Sequence, residues 1–86
     1  MALNPKKILD TSGLICPEPV MLLHNAVRDV EEGDLIEVIA TDPSTQRDIP
    51  KFCEFLGHQL LAVEDRDQKF FYYVKKGSGE AEPRVK

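Results

Sequence analysis

The stretch from Ser12 to Pro19, Ser-Gly-Leu-Ile-Cys-Pro-Glu-Pro, is where a short strand gives way to a helix. The glycine breaks the strand. The two prolines suit the first turn of a helix, because N–H groups there have no intrahelical acceptor and the ring fixes φ near the helical value. The thiol of Cys16 therefore precedes a helix N-terminus, whose unpaired N–H groups and positive dipole favour a thiolate and lower the pKa of a cysteine. The stretch predicts a rigid turn that carries a reactive cysteine.

A strand–helix–strand unit is predicted on either side of this turn. The pattern indicates a strand at Lys6–Thr11 and a helix at Pro17–Val30, and the helix is followed by a turn at Glu31–Asp34. Within that turn, Gly33 is expected to be the left-handed C-cap of the helix. Leu35–Ala40 is a β-branched, apolar run of strand length. The apolar positions of the helix are Val20, Leu22, Leu23, Ala26, Val27 and Val30.

A second helix follows this unit. Asp42–Thr45 is a cluster of turn and capping residues, and Gly57 is expected to end the helix. Pro50 lies inside the pattern and is expected to kink the first turn away from the rest. The residues at helical spacing that should face the core are Ile49, Phe52, Cys53 and Leu56.

The last part of the domain is predicted to be a β-hairpin, with strands at Gln59–Glu64 and Lys69–Lys75 and a turn at Asp65–Gln68. The resulting order, βαβαββ, predicts an α/β two-layer sandwich with both helices on one face of the sheet. Strands one and two should be parallel, so the loops after them should meet at one sheet edge. Cys16 and Asp42–Arg47 are therefore expected to be neighbours at the edge where α/β sheets usually hold their sites.

Length and composition restrict the possible functions. The chain has 86 residues and should form a single domain over residues 1–76, with Gly77–Lys86 as a polar, disordered tail. The net charge of −4 argues against nucleic-acid binding as the main activity, because phosphate contacts need a basic face. No apolar run reaches the ~18 residues of a membrane span and Met1–Lys7 lacks the apolar part of a signal peptide, so a cytoplasmic protein is predicted.

Cys16 has two interpretations. Most free cysteines are small buried hydrophobic residues, but a residue between a glycine-containing loop and two prolines does not easily lie deep in a core. A protease-like thiol needs a nearby base, and His24 lies about two turns along the same helix, out of reach. A thiolate without a base or second cysteine suits the transfer of sulfane sulfur as a persulfide. The cysteines and histidines match no zinc-ligand spacing, so neither a metal nor a cofactor is predicted.

Cys53 lies on the apolar side of helix two and is predicted to be a packed core thiol. A redox pair with Cys16 is the alternative, although the spacing differs from a Cys-x-x-Cys motif.

Arg47 opens helix two, where the dipole disfavours a positive charge. It either stabilises a thiolate or persulfide on Cys16 or pairs with Asp42 or Asp48. The sequence leaves both roles open.

Two surfaces are candidates for partner contacts. Glu18, Met21 and Arg28 lie on the outer side of helix one, although a solvated helix face is the simpler explanation. The run Phe70–Tyr73 on the last strand alternates between the core and the outer face, so Phe71 and Tyr73 or their neighbours are expected to be exposed, although strand propensity is the simpler explanation of these aromatic residues. An exposed aromatic sheet face of this kind suggests a regulatory or RNA-binding module, because bases stack on aromatic rings.

A family resemblance rests on two stretches. Leu9-Asp10 with Gly13–Met21 resembles the signature of the TusA/SirA-like sulfur carrier family, in which Cys-Pro-x-Pro is a highly specific motif. Ala40–Cys53 looks like the second shared segment, and its Arg-Asp-Ile-Pro-x-Phe-Cys run is most similar to the TusA branch. The resemblance runs from about Ile8 to about Lys76. Ile15 departs from it, because many members have a basic residue there.

This resemblance implies a mixed four-stranded sheet with the last strand antiparallel to the others. It implies that Cys16 accepts persulfide sulfur from a cysteine desulfurase or rhodanese and passes it to an acceptor protein, most typically toward 2-thiouridine in tRNA. Sulfur oxidation and molybdenum-cofactor supply are alternative destinations. We assign Pro17, Glu18, Pro19 and Arg47 to the surroundings of the thiol. A sulfurtransferase-type carrier is thus expected, rather than an enzyme with a small substrate; the remaining alternative is a purely structural interaction domain.

Overall fold

Four strands and two helices follow one another in the order β-α-β-α-β-β. The computed structural model describes residues 4–15 and 17–77, so residues 1–3, Cys16 and most of the predicted tail (78–86) lie outside the described residues. The order confirms the predicted α/β two-layer fold. The elements are β1 (Lys7–Thr11), α1 (Glu18–Asp29), β2 (Leu35–Ala40), α2 (Thr45–Leu56), β3 (Gln59–Arg66) and β4 (Lys69–Lys75).

The four strands form one mixed sheet in the order β1-β2-β4-β3. β1 pairs with β2 in parallel, with Leu9 opposite Val38, as the strand–helix–strand pattern predicted. β4 runs antiparallel to both of its neighbours, β2 and β3, which confirms the mixed sheet implied by the family resemblance. The last strand of the chain is therefore a central strand of the sheet.

One face of the sheet is covered by α1 and α2, and the core lies between these layers. The strand residues in the core are alternate ones, such as Ile36 and Val38 on β2 and Tyr72 and Val74 on β4. In α1 the predicted apolar positions are buried, except that Leu22 is exposed and Val20 is half-buried. The helix residues in the core are Leu23, Ala26, Val27, Ile49, Phe52 and Cys53.

The helix ends differ in part from those predicted. Gly57 ends α2 in the left-handed conformation with φ of 81°, as expected. Gly33 also has a positive φ, but α1 already ends at Asp29, so Gly33 belongs to the turn before β2 and is not the cap. α2 continues through Pro50 as one helix, and the kink expected there stays a prediction. The proline is the sixth residue of α2, where it removes one hydrogen bond near the helix start.

The hairpin turn is shorter than predicted. Strand pairing continues through Asp65 opposite Phe70 and Arg66 opposite Lys69. Only Asp67 and Gln68 remain in the loop, and both have positive φ values, of 56° and 61°. Two-residue loops with this backbone match the right-handed twist of paired strands. The sequence missed this turn because neither residue is the glycine that usually marks it.

The expectation of an exposed aromatic face on β4 is wrong. Phe71 and Tyr73 point away from the helices, yet each is only 8% exposed. The guanidinium of Arg66 lies 3.9 Å from the ring centroid of Phe71, and hydrogen bonds with Glu64 and Tyr73 raise the pKa of this arginine. The central position of β4 places a strand on each side of these rings. Because the rings are covered, the observation that suggested base stacking no longer holds.

Candidate functional site

The loops that follow β1 and β2 meet at one edge of the sheet. The N–H of Gly13 donates a hydrogen bond to Oγ1 of Thr41 at 2.9 Å, which joins the two loops directly. Just before them, Oγ1 of Thr11 donates to the carbonyl of Ile39 at 2.6 Å. The segment that leads into Cys16 therefore lies against the segment that leads into α2, as the parallel pairing of β1 and β2 predicted.

The loop between β1 and Cys16 is a hydrogen-bonded turn. The N–H of Ser12 donates to Oδ1 of Asp10 at 3.0 Å, and the N–H of Leu14 donates to the carbonyl of Thr11 at 3.1 Å. Hydrogen bonding by Ser12 lowers the pKa of the Asp10 carboxyl. Gly13 has a φ of 84°, a conformation that a residue with a side chain rarely adopts. These features fix the backbone that precedes the cysteine.

The start of α1 offers fewer N–H donors than the sequence suggested. Pro17 and Pro19 have no N–H, and the N–H of Glu18 donates to the carbonyl of Ile15 at 3.0 Å. These three residues therefore cannot donate hydrogen bonds to an anion at the helix start. The positive end of the helix dipole is what this part of α1 offers to a negative charge.

The start of α2 is likewise closed by its own backbone. The N–H of Ser44 donates to Oδ1 of Asp42 at 3.0 Å, and the N–H groups of Thr45 and Gln46 donate to the carbonyls of Asp42 and Pro43. The next two N–H groups both donate to the carbonyl of Ser44. These donors satisfy the unpaired groups of a helix end. The Asp42–Thr45 cluster predicted from the sequence therefore makes a self-contained cap.

Arg47 pairs with its chain neighbour. Its Nε donates to Oδ1 of Asp48 at 3.1 Å, and the arginine side chain is largely exposed. This is one of the pairings that the sequence left open. An exposed pair of this kind contributes little to stability, about 0–1 kcal/mol.

The docking candidates of α1 share one exposed side of the helix. Glu18, Met21 and Arg28 are all exposed and follow one another at helical spacing. Ile15 is 70% exposed and Pro17 is exposed, so the residues on both sides of Cys16 in the chain are accessible. An accessible surface that combines apolar side chains with two charges thus extends from Ile15 along α1.

A groove of about 800 Å³ lies next to this surface, between α1 and α2. Phe55, at 71% exposure, is a large apolar residue in its wall. Phe55 was not predicted as a site residue, because it lies outside the core-facing stripe of α2. Its position three residues after Phe52, on the side of that stripe, was the available signal. The lining residues are Pro17, Val20, Asp48, Lys51, Phe52, Glu54 and Phe55.

Cys53 lies in the core, as predicted. It is 2% exposed and belongs to the cluster formed by the helices and the inner face of the sheet. Burial raises the pKa of its thiol to about 11, because a thiolate loses its hydration there. At neutral pH this thiol is almost entirely protonated and therefore a poor nucleophile.

The histidines pack against an aromatic ring of α2. The rings of His24 and His58 each lie 5.6 Å from the ring of Phe52, measured between centroids. The N–H of Gly77, a residue predicted to begin the disordered tail, donates to Nδ1 of His58 at 2.9 Å. Both rings are thus engaged in packing at Phe52.

Within residues 4–15 and 17–77, no three His, Cys, Asp or Glu side chains form a group that could hold a metal ion. None of the described helices is long and apolar enough to cross a membrane.

Comparisons with known proteins place these features in a family. The sequence model described as "Sulfurtransferase TusA" matches residues 7–76. The sulfur carrier protein TusA of Pseudomonas aeruginosa PAO1 is 59% identical over 69 residues, which are 80% of this chain and 87% of that protein. The protein of the same name from Pseudomonas putida KT2440 is 58% identical over 73 residues, 85% and 91% of the two chains.

A solved structure shows the same fold. The SirA-like protein of Desulfitobacterium hafniense superposes with a TM-score of 0.74 and covers 84% of this chain and 99% of its own, at 22% identity. The family match over residues 7–76 includes both stretches that carried the resemblance, the Cys-Pro-x-Pro turn and the segment at the start of α2. The chain belongs to the TusA family.

Proposed function

We propose that this chain is a sulfur carrier that holds sulfane sulfur as a persulfide on Cys16. The observation that carries the proposal is the position of this cysteine in the sequence: it follows the exposed Ile15 and a hydrogen-bonded turn at the joined loops, and it precedes the exposed Pro17. The TusA relatives, whose printed names describe sulfur carriers, support it. In contrast, the other thiol, Cys53, is enclosed by the core.

The chemistry needs only thiol exchange. The thiolate of Cys16 attacks the outer sulfur of a donor persulfide, a new S–S bond forms, and the donor's S–S bond breaks with its inner sulfur leaving as a thiolate. The acceptor's thiolate then attacks the outer sulfur on Cys16 in the same way and releases the Cys16 thiolate. One sulfur atom moves in each step, and no external oxidant or reductant is consumed.

The helix start stabilises the anionic forms of this thiol. α1 begins at Glu18, two residues beyond Cys16, so the positive end of its dipole favours both thiolate and persulfide anion. Pro17 and Pro19 fix the first turn, and Glu18 closes it through its N–H. Arg47 belongs to the surroundings of the thiol as a weak, partly neutralised charge, because its guanidinium also binds Asp48.

Donor and acceptor dock on the accessible surface beside the turn. The exposed side of α1, with Glu18, Met21 and Arg28, offers both charges and an apolar contact. The neighbouring groove, with Phe55 in its wall, accepts an apolar side chain of the partner. The exposed aromatic ring has the character of a binding anchor, since such residues dominate many interfaces.

The donor is a cysteine desulfurase or a rhodanese, and the acceptor is a second sulfur-transfer protein. The relay leads to 2-thiouridine in tRNA, with sulfur oxidation and molybdenum-cofactor supply as the alternative destinations. The protein acts in the cytoplasm, where a reducing environment keeps Cys16 available as a thiol.

A mass-shift experiment tests the carrier. After incubation with a purified cysteine desulfurase and L-cysteine, the intact chain should gain about 32 Da, the mass of one sulfur atom. Cys16→Ser should abolish this gain and Cys53→Ala should retain it. A gain that persists in Cys16→Ser and disappears in Cys53→Ala would overturn the proposal.

A further inference from the structure

A pair of hydroxyls lies buried beneath the start of α2. Oγ1 of Thr45 and the hydroxyl oxygen of Tyr72 are 2.7 Å apart, and both residues are 0% exposed. Oγ1 of Thr45 also donates to the carbonyl of Asp42 at 2.7 Å. A hydroxyl has one proton, so the Tyr72 hydroxyl is the donor within the pair. This pair fixes the first residue of α2 to the central strand β4 and to the loop before the helix.

The same loop holds the turn that precedes Cys16. Thr41 is the chain neighbour of Asp42, and its Oγ1 accepts the N–H of Gly13 at 2.9 Å. A connected series therefore runs from Tyr72 in the core, through Thr45 and the Asp42 carbonyl, to Thr41 and Gly13. It ends three residues before the cysteine. We define these contacts as the hydroxyl series.

Stability alone does not explain why this buried pair carries hydroxyl groups. Valine has nearly the shape of threonine, and phenylalanine that of tyrosine, so an apolar pair fits the same space. Replacing both members of a buried hydrogen bond by apolar groups of the same shape can be nearly neutral or stabilising. Unlike apolar contacts, the hydrogen bonds of these hydroxyls are directional, so they fix the loop at one place relative to the sheet.

We propose that Thr41 is a positioning residue for the Cys16 thiol and that the Thr45–Tyr72 pair anchors it. The hydroxyl series holds the turn that precedes Cys16 against the 41–45 loop, and the reactivity of the Cys16 thiol depends on this anchoring of the preceding backbone. This rests on the proposed function, in which Cys16 is the sulfur-carrying thiol.

The test measures the pH dependence of Cys16 alkylation by iodoacetamide, with Cys53→Ala as the parent so that one thiol is followed. Thr41→Val removes the acceptor of the Gly13 N–H at a partly exposed site, and Thr41→Ser retains it. The Thr45→Val/Tyr72→Phe double variant makes the buried pair apolar. Urea unfolding of each variant establishes that it is folded.

In Thr41→Val and in the double variant, the alkylation rate at pH 7 should fall by about two- to fivefold. The midpoint of the pH profile of alkylation should move to higher pH. Both changes correspond to a weakened interaction of the thiolate with the helix terminus. Thr41→Ser should match the parent. The double variant should keep the parent's urea midpoint within about 0.3 M. If the pair contributed only to stability, the pH profile of alkylation in this variant would therefore equal that of the parent.

Unchanged profiles in both variants would overturn the proposal. A shift in Thr41→Val without one in the double variant would overturn the anchoring role of the Thr45–Tyr72 pair. These outcomes are separate from those of the carrier proposal. Alkylation reports the thiol alone, whereas the 32 Da gain of the wild type reports sulfur loading.

Discussion

The two cysteines of this chain show how local structure decides the chemistry of one functional group. Cys53 faces the core from α2, is 2% exposed and has a pKa raised to about 11 by burial. Cys16 follows the 70%-exposed Ile15 and precedes a helix start. The low dielectric of the core opposes a thiolate at Cys53, whereas a helix N-terminus favours a thiolate at Cys16. The comparison teaches that burial in the core makes the thiol of Cys53 unreactive, whereas the role proposed for Cys16 depends on its position in the chain before a helix.

The largest expected effect is the difference in reactivity between these thiols. At pH 7, a thiol with a pKa of about 11 is ionised in only about one molecule in ten thousand. Cys16 should therefore react with iodoacetamide about 1,000-fold faster or more, as measured by peptide mass spectrometry. In 6 M guanidinium chloride, a denaturing control, the two rates should converge. Comparable rates in the native protein would remove the basis of the comparison.

The next effect distinguishes the core side of α2 from its groove side. Phe52 is buried among core residues, so Phe52→Ala should lower the free energy of unfolding by about 3–5 kcal/mol. Phe55→Ala should change it by no more than about 0.5 kcal/mol, because Phe55 is 71% exposed, while slowing sulfur transfer from the desulfurase. Urea unfolding and the rate of the mass gain measure the two quantities. Loss of stability in Phe55→Ala would show that this ring packs rather than docks.

A smaller effect follows from the titration of Cys53. Its pKa is about 11 in the folded protein against a reference value of 9.0, so the folded state holds this proton more tightly than the unfolded state. The associated stability is complete below about pH 9 and is lost as the pH rises toward 11. The free energy of unfolding should therefore fall by about 1–2 kcal/mol more in the wild type than in Cys53→Ala over this range. Parallel pH profiles of the two proteins would contradict the raised pKa.

The smallest effect concerns Arg47. Because its guanidinium is exposed and paired with Asp48, Arg47→Gln should lower the alkylation rate of Cys16 at pH 7 by less than about twofold. Its stability should stay within about 0.5 kcal/mol of the wild type. Asp48→Asn is the matched control, since it frees the positive charge and should have the opposite, equally small effect on the rate. A tenfold loss in Arg47→Gln would make the arginine a principal stabiliser of the thiolate.

Local patterns predicted most of the fold. The bounds of β2 and β4 agree with those read from the sequence, because β-branched and aromatic runs between turn residues are a strong signal. The hairpin turn was misjudged, since Asp67 and Gln68 adopt positive φ values without glycine. Phe71 and Tyr73 were misjudged for another reason: alternation shows which side of a strand a residue faces, but not what covers that side.

The site was predicted less completely. The approach of the two loops was predicted correctly, because parallel strands bring their carboxyl ends to one edge, whereas the role of Cys16 stays a prediction. The sequence did not reveal that the N–H groups at the start of α2 are already bonded, or that Phe55 lies in the wall of a groove. These features depend on backbone distances and on the relative position of two helices, which periodicity does not contain.

By itself, the sequence determined the order of the elements, the core stripes of the helices and the cysteine at the strand-to-helix turn, since each depends on residues close together in the chain. Only the tertiary structure decided that β4 lies at the centre of the sheet, with Tyr72 beneath Thr45 and Gly13 bonded to Thr41. These contacts join residues 27 or 28 positions apart, and they form only when the packing of the sheet brings their strands and loops together.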